Sequence, residues 1–212
     1  MSSDYHSSRL THDPRRRALW NALWRFHFQR LIGPDDCVLD IGCGYADFAN
    51  AVRARRRIAL DSWPGFTEYV EDGVEAVVGP VTQLGFLEDG SVDFAFASNL
   101  FEHITQADLV TVLAALRPKL SPRGTLTMLQ PNWRYAYREY FDDYTHIAVY
   151  SHTSLADLLV ARGWEVLVVH PRFLPLTIKS RFPVSPWLIQ AYLRSPIRPW
   201  GKQMLITARP GR

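Results

Sequence analysis

Residues 38–49 read VLDIGCGYADFA, and the reading of these twelve positions decides the fold class. Val38, Leu39 and Ile41 suit a buried strand, Gly42-Cys43-Gly44 supplies a sharp turn, and the following residues turn helical. A strand that runs through a glycine bend into a helix is the device by which open α/β sheets receive nucleotide-type ligands at their carboxyl edge. The rest of the chain repeats the alternation. Val38–Ile41 is strand one and Phe48–Arg55 its helix, Ile58–Asp61 strand two, Ala76–Val78 a short strand three, and Val92–Ala97 strand four. Thr125–Leu129, Glu165–His170 and Met204–Ala208 follow as strands, which makes a doubly wound α/β sheet the expected architecture.

Before this alternation, Leu19, Ala22, Leu23, Phe26 and Leu31 recur near helical spacing over Arg15–Leu31, so residues 1–32 are expected to form an N-terminal lid and helix. Thr105 with Asp108 predicts a capping box ahead of Leu109, Val112, Leu113 and Leu116. Ser154 with Asp157 predicts another, with Gly163 closing that helix. Two stretches interrupt the rhythm and read as acceptor-side insertions, residues 131–153 and 171–202. The second holds six prolines with Trp187, Tyr192 and Trp200 among basic residues, and reads either as irregular cover or as a peripheral membrane contact.

With 212 residues, a single domain is expected, long enough to bury a core unaided. A net charge of +3 is too small to imply nucleic acid, and the run Arg53, Arg55, Arg56, Arg57 reads as a solvated helix end. Cys37 and Cys43 flank one strand, poorly placed to bridge, and read as buried thiols in a reducing compartment. No run approaches the roughly 20 apolar residues of a membrane helix, and a cytoplasmic location is expected.

The ligand is narrowed by what the glycine turn lacks. A dinucleotide fingerprint needs a third small residue where Asp47 stands, and a phosphate loop needs Gly-Lys-Ser/Thr, which is absent. Phosphate readings therefore lose to a nucleoside with a cationic amino-acid end. Asp40, ending strand one, can hold an ammonium, while Gly42, Cys43 and Gly44 bring bare backbone to the ligand. Asp61, ending strand two, is placed to accept hydrogen bonds from ribose hydroxyls, with Ser62 beside it.

These residues, taken with three later stretches, resemble the class I S-adenosylmethionine-dependent methyltransferases. VLDIGCG resembles that family's first motif, IALD its second, DGSVDFAFASNLFEHI its fourth-strand region and LRPKLSPRGTLTML its passage into strand five. The resemblance covers roughly residues 35 to 170. It implies a Rossmann-like, seven-stranded, mostly parallel sheet of order 3-2-1-4-5-7-6 with helices on both faces. It also implies S-adenosyl-L-methionine as cofactor and S-adenosyl-L-homocysteine as product. Ser98 and Asn99 are then expected to line the cofactor pocket. VVGPVTQLGF departs from the family, with Pro80 and Val81 where an adenine-binding acid is often found. Adenine is expected instead against Val81, Thr82 and Gln83.

The stretch QPNWRYAYREYFDDYTHIAVYSHTSL follows strand five, where an acceptor should meet the methyl donor. Methyl transfer to a hydroxyl needs an aligned nucleophile and a base for its proton. His146, oriented by Asp142 or Asp143, is the expected base, with His103 and Tyr144 as further catalytic candidates. Arg134, Tyr137, Arg138, Tyr140 and Asp143 are expected to bind the acceptor, and no metal is expected. The acceptor is read as a small hydroxylated molecule, a sugar or lipid-linked compound, without nucleic acid. That stretch and RFLPLTIKSRFPVSP together resemble bacterial enzymes of polysaccharide or natural-product assembly, implying O-methylation. Two alternatives stay open: a same-fold cyclase or lyase, and a non-catalytic subunit that binds the cofactor. Oligomeric state also stays open.

Overall fold

The structure is a computed structural model that describes residues 12–175, 185–195, 197–198 and 200–211. Its centre is one seven-stranded sheet of order β3-β2-β1-β4-β5-β7-β6, as expected. The strands are β1 (Cys37–Ile41), β2 (Arg56–Asp61), β3 (Val74–Val78), β4 (Val92–Ser98), β5 (Leu120–Pro131), β6 (Trp164–Leu174) and β7 (Gln203–Pro210). β3, β2, β1, β4 and β5 pair in parallel, whereas β7 runs antiparallel to both β5 and β6.

Both faces of the sheet are covered, and the β4 sequence shows why. Phe94 and Phe96 point to one face, Ala95 and Ala97 to the other, following the two-residue period of a strand. The phenylalanine face meets α1 (Pro14–Phe26) and the turn at Phe28, building an aromatic layer of Trp20, Phe28, Phe48, Phe94 and Phe96. Phe48 and Phe96 lie 4.1 Å apart between ring centroids. Each such ring, fully buried, contributes about 1.5–3 kcal/mol. The alanine face receives Leu109, Val112, Leu113 and Leu116 of α3 (Gln106–Leu116) and Leu155 and Leu159 of α5 (His152–Ala161).

Local signals set most element ends. Asp13 caps α1 by accepting from Arg15 N at 2.9 Å, with Pro14 at the first helical position. The Thr105–Asp108 capping box is present at α3, and Asn132 caps the short α4 (Trp133–Ala136) by accepting from Arg134 N. At α5 the cap is Ser151, with Ser154 at the third helical position, which corrects the expected Ser154 cap. The helix after β1, α2 (Asp47–Ala51), stops well before Arg55 because Val52 is already extended. Arg53 caps its last carbonyls, while Arg56 opens β2 and pairs with Glu75. β6 continues past Pro171 to Leu174, since an edge strand tolerates a residue without an N–H, and its register shifts there. α6 (Pro186–Arg194) lies within the proline-rich segment, helical where irregular cover was expected, and packs Ile189, Tyr192 and Leu193 onto the aromatic layer. Residues 176–184 of that segment, like 1–11 of the expected lid, lie outside the described residues. Among the described residues no helix is long and apolar enough to cross a membrane.

Candidate functional site at the carboxyl edge of the sheet

The three parallel strands β2, β1 and β4 end side by side, and the bend after β1 is where the backbone is barest. Gly42 and Gly44 both adopt positive φ, at 69° and 56°. A Cβ on Gly42 would sit 2.8 Å from Leu100 Cδ1, so the loop leaving β4 packs directly on the bend. The N–H groups of Gly42 and Cys43 both donate to Leu60 O, tying the bend to β2.

Asp61 is 3% exposed and held at both oxygens: Oδ2 accepts from Gly44 N and Oδ1 from Trp63 N, each at 2.9 Å. Asp40, 2% exposed, accepts from Ala49 N at 3.3 Å. Burial pushes the Asp40 carboxyl up to about 8, with the charges of Asp61 and Asp47 adding to the push and Arg16 opposing it. A cationic group arriving beside Asp40 relieves that penalty, because an opposite charge favours the carboxylate. The sheet edge at the two acids is thus electrostatically suited to a positive ligand end. Asp47, at the place of a third glycine, is paired with Arg16 Nε at 2.7 Å and so fastens α1 over the bend. Cys43 is buried and its thiol is raised well above its ordinary value, chiefly by desolvation.

The remaining expected cofactor residues spread along the same edge. Ser62 is exposed, and Val81 and Thr82 are half-buried after β3, Val81 packing against the main core. Ser98 Oγ accepts from Asn99 Nδ2 at 3.2 Å, and Asn99 takes a left-handed backbone, φ 50°. Its Oδ1 accepts from Gln203 Nε2 at 2.8 Å, so β7 helps hold this turn. Sequence reading missed the aromatic rim beside Asp61. Tyr45 meets Trp63 and Tyr69 edge-on at 5.2 and 4.7 Å, and His12 stacks on Tyr69 at 5.1 Å. Their signal was an aromatic immediately after each motif, Tyr45 after GCG and Trp63 after IALDS.

On the acceptor side, the structure brings His103 and His146 together, ring centroids 4.8 Å apart, and adds Glu102. Glu102 follows β4 in a short turn and is wholly buried. Its backbone carbonyl accepts from Ile147 N and Ala148 N, which clamps the 140–148 loop onto the β4 turn. His146 Nδ1 donates to Tyr140 O at 2.6 Å, so a carbonyl, not Asp142 or Asp143, orients its ring. Asp143 serves the other histidine indirectly. Its Oδ1 accepts from Thr145 Oγ1 at 2.6 Å, and Thr145 Oγ1 lies 2.9 Å from His103 Nδ1. Burial pushes His103 down to about 4 and Glu102 up to about 8.

The tyrosines and arginines divide. Tyr140 is fully buried with its hydroxyl donating to Ala148 O at 2.6 Å, so it packs the loop instead of lining an acceptor wall. Tyr137 and Tyr144 are exposed, 52% and 67%. Arg138 Nε donates to the Tyr137 hydroxyl, and both Arg134 and Arg138 face solvent. The structure therefore gathers Glu102, His103, His146 and Asp143 and leaves Arg134, Tyr137, Arg138 and Tyr144 on the surrounding surface.

With this geometry in place, comparison with known proteins is informative. Residues 39–128 match the family model described as a methyltransferase domain. A relative from Streptomyces fradiae, a 37.1 kDa protein in transposon TN4556, is 34% identical over 110 residues, covering 47% of this chain and 31% of its own length. The chain thus spans under a third of that relative. A SAM-dependent methyltransferase from Archaeoglobus fulgidus superposes with a TM-score of 0.68 at 20% identity, covering 91% of this chain and 93% of that one. The methyltransferase partner of the Trm112 activator from Haloferax volcanii reaches 0.71 at 19% identity, covering 99% and 97%. The 1,6-didemethyltoxoflavin-N1-methyltransferase of Burkholderia thailandensis, solved with S-adenosylhomocysteine, gives 0.63 at 20%, covering 99% and 85%. Strand order, the ordered motifs and the matched domain agree with one another: residues 39–128 are similar to a methyltransferase domain, carried on the same seven-stranded fold as these solved structures.

Proposed function

We propose that the protein transfers the methyl group of S-adenosyl-L-methionine to a hydroxyl of a small metabolite, releasing S-adenosyl-L-homocysteine. The observation that carries this reading is the pairing of two buried acids across the bare bend at Gly42 and Gly44. Asp40 takes the ammonium of the methionine end, and Asp61, its oxygens aimed by Gly44 and Trp63, takes the ribose hydroxyls. The purine rests between the Trp63 side and the Val81–Gln83 turn, held by apolar contact and backbone groups. The acceptor hydroxyl enters from the opposite side, over the β4 turn, and gives up its proton at the cluster of Glu102, His103 and His146.

The test has two steps. Titration calorimetry with S-adenosylhomocysteine should show stoichiometric binding that Asp61→Asn weakens. A panel of hydroxylated acceptors with isotopically labelled methyl donor should then yield a labelled ether, and His146→Ala should cut turnover by roughly 10²–10⁴ while leaving cofactor affinity unchanged. Release of methylthioadenosine in place of S-adenosylhomocysteine would replace methyl transfer with lyase or cyclase chemistry.

A lipid-linked acceptor is favoured by one surface. Trp187 and Leu188 on α6 and Trp200 beyond it are 79%, 55% and 74% exposed, with Arg194 at the helix end. Aromatic rings beside cations suit a membrane interface. Flotation with anionic liposomes should retain the protein, and Trp187→Ala with Trp200→Ala should release it; indifference to liposomes would return this face to simple cover.

A further inference from the structure

Glu102, His103 and His146 bring three metal-ligating side chains to one place in the fold. The Glu102 side chain is 1% exposed, and neither carboxylate oxygen has a hydrogen-bond partner among the described residues. The two imidazoles beside it have fixed tautomers. Thr145 Oγ1 carries one proton and gives it to Asp143, an acceptor only, so at the His103 contact Thr145 accepts from Nδ1–H. His146 Nδ1 faces the Tyr140 carbonyl, which can only accept, so this ring too is protonated at Nδ1. Each neutral ring therefore carries its lone pair on Nε2. One donor atom from each of the three residues lies within 4.8 Å of the others. Two ring nitrogens thus converge with a buried carboxyl group that has no hydrogen-bond partner among the described residues, and burying such a group is costly.

We infer that this cluster is a binding site for one divalent transition-metal cation, with zinc or manganese the chemical class that two imidazoles and one carboxylate select. The surroundings have the form such a site requires. Ligating histidines typically donate their other ring N–H to a carbonyl, hydroxyl or carboxylate that holds the ring in place, and both do so here. The Ile147 and Ala148 N–H bonds to the Glu102 carbonyl lock the loop bearing His146 onto the turn bearing the other two. Donors around zinc stand about 3.3 Å apart at bond lengths of about 2.0–2.1 Å, so a cation draws the three residues slightly inward. Three protein ligands leave at least one coordination position open.

The open position gives the cation a role, which rests on the methyl-transfer reading above. An acceptor hydroxyl bound there loses its proton to solvent at neutral pH, because a coordinated oxygen is strongly acidified. The alkoxide oxygen then forms a bond to the sulfonium methyl carbon. The carbon–sulfur bond breaks with its electron pair going to sulfur, giving the methyl ether and neutral S-adenosylhomocysteine. This departs from the sequence expectation of a metal-free site with His146 as proton acceptor.

The experiment titrates chelator-treated full-length protein with zinc, manganese and cobalt salts by calorimetry. The visible spectrum of the cobalt form is recorded, and S-adenosylhomocysteine binding is measured in parallel. One cation per chain is expected, with cobalt bands of a low-coordinate nitrogen–oxygen site. His146→Ala should weaken metal binding at least tenfold. The near-isosteric Glu102→Gln should also weaken it, since an amide is a poor ligand, while leaving the thermal midpoint of the metal-free protein at or above wild type, because it removes the cost of burying an ionisable group without a hydrogen-bond partner. Cofactor affinity should stay within twofold throughout. Absence of stoichiometric metal, or metal binding indifferent to both variants, overturns the inference, as does a metal-free Glu102→Gln protein less stable than wild type. If cofactor binds and metal does not, only this inference falls; if metal binds and cofactor does not, only the methyl-transfer reading falls.

Discussion

At the scale of single residues, the proposed cofactor site depends on atoms with no slack. Asp61 uses both oxygens on backbone N–H groups, and an amide at that position can accept at only one of them. Asp61→Asn should therefore turn an N–H against Gly44 or Trp63 and weaken cofactor binding about 10- to 100-fold, the worth of a charge-assisted hydrogen bond, as read by calorimetry. Gly42 meets two constraints at once, a φ of 69° and the Leu100 side chain where its Cβ would lie. Gly42→Ala should cost about 1–2 kcal/mol of stability for the backbone alone and abolish measurable cofactor binding. Urea denaturation and calorimetry on the same preparation check both halves.

At the scale of elements, the turn after β4 is where the proposed cofactor and acceptor sites meet. It is pinned on one side by Asn99 N to Leu129 O, and on the other by Leu100 against the glycine bend. Immediately beyond it, the Thr105–Asp108 box starts α3. Thr105→Ala should lower global stability by about 1 kcal/mol in urea denaturation, the usual cost of losing such a cap. A much larger loss would mean that the cap also fixes the Glu102–His103 turn. The box was legible because its residues lie three apart in the chain. At α5 the true cap, Ser151, was overlooked in favour of Ser154, since serines stand at both places and capping depends on where the loop delivers the chain.

At the scale of the whole molecule, the aromatic layer partly buries a histidine, His27. His27 is pushed down to about 4 by burial, with His170, Arg198 and Arg30 adding repulsion. Its Nε2 lacks a partner among the described residues, and its ring packs edge-on against Phe28 and Phe173. The unfolded chain takes up this proton near pH 6.5 and the folded one only near pH 4. The unfolded state thus holds more protons between those values, and the stabilising effect of a neutral His27 is complete above pH 6.5 and lost as pH falls toward 4. His27→Phe keeps the aromatic contacts and removes the proton, so its stability should fall less steeply over that window in denaturant titrations at stepped pH. The sheet order that the family resemblance implied agrees with the structure. β6 ran further than expected because tolerance of Pro171 depends on the strand lying at an edge.

What the chain alone determined is what repeats or neighbours in sequence: the alternating strands, the glycine bend, Asp40 and Asp61 at two strand ends, and the Thr105–Asp108 capping box. These rest on backbone geometry and two- or four-residue periodicity, both local properties. Only the tertiary structure decided which polar side chains of the 131–153 stretch face one another. It buried Tyr140, left Tyr144 to solvent, gave His146 a carbonyl in place of an aspartate, and set it beside Glu102 and His103, over forty positions earlier. Such a meeting depends on how two loops leave neighbouring strands, and no spacing along the chain encodes it.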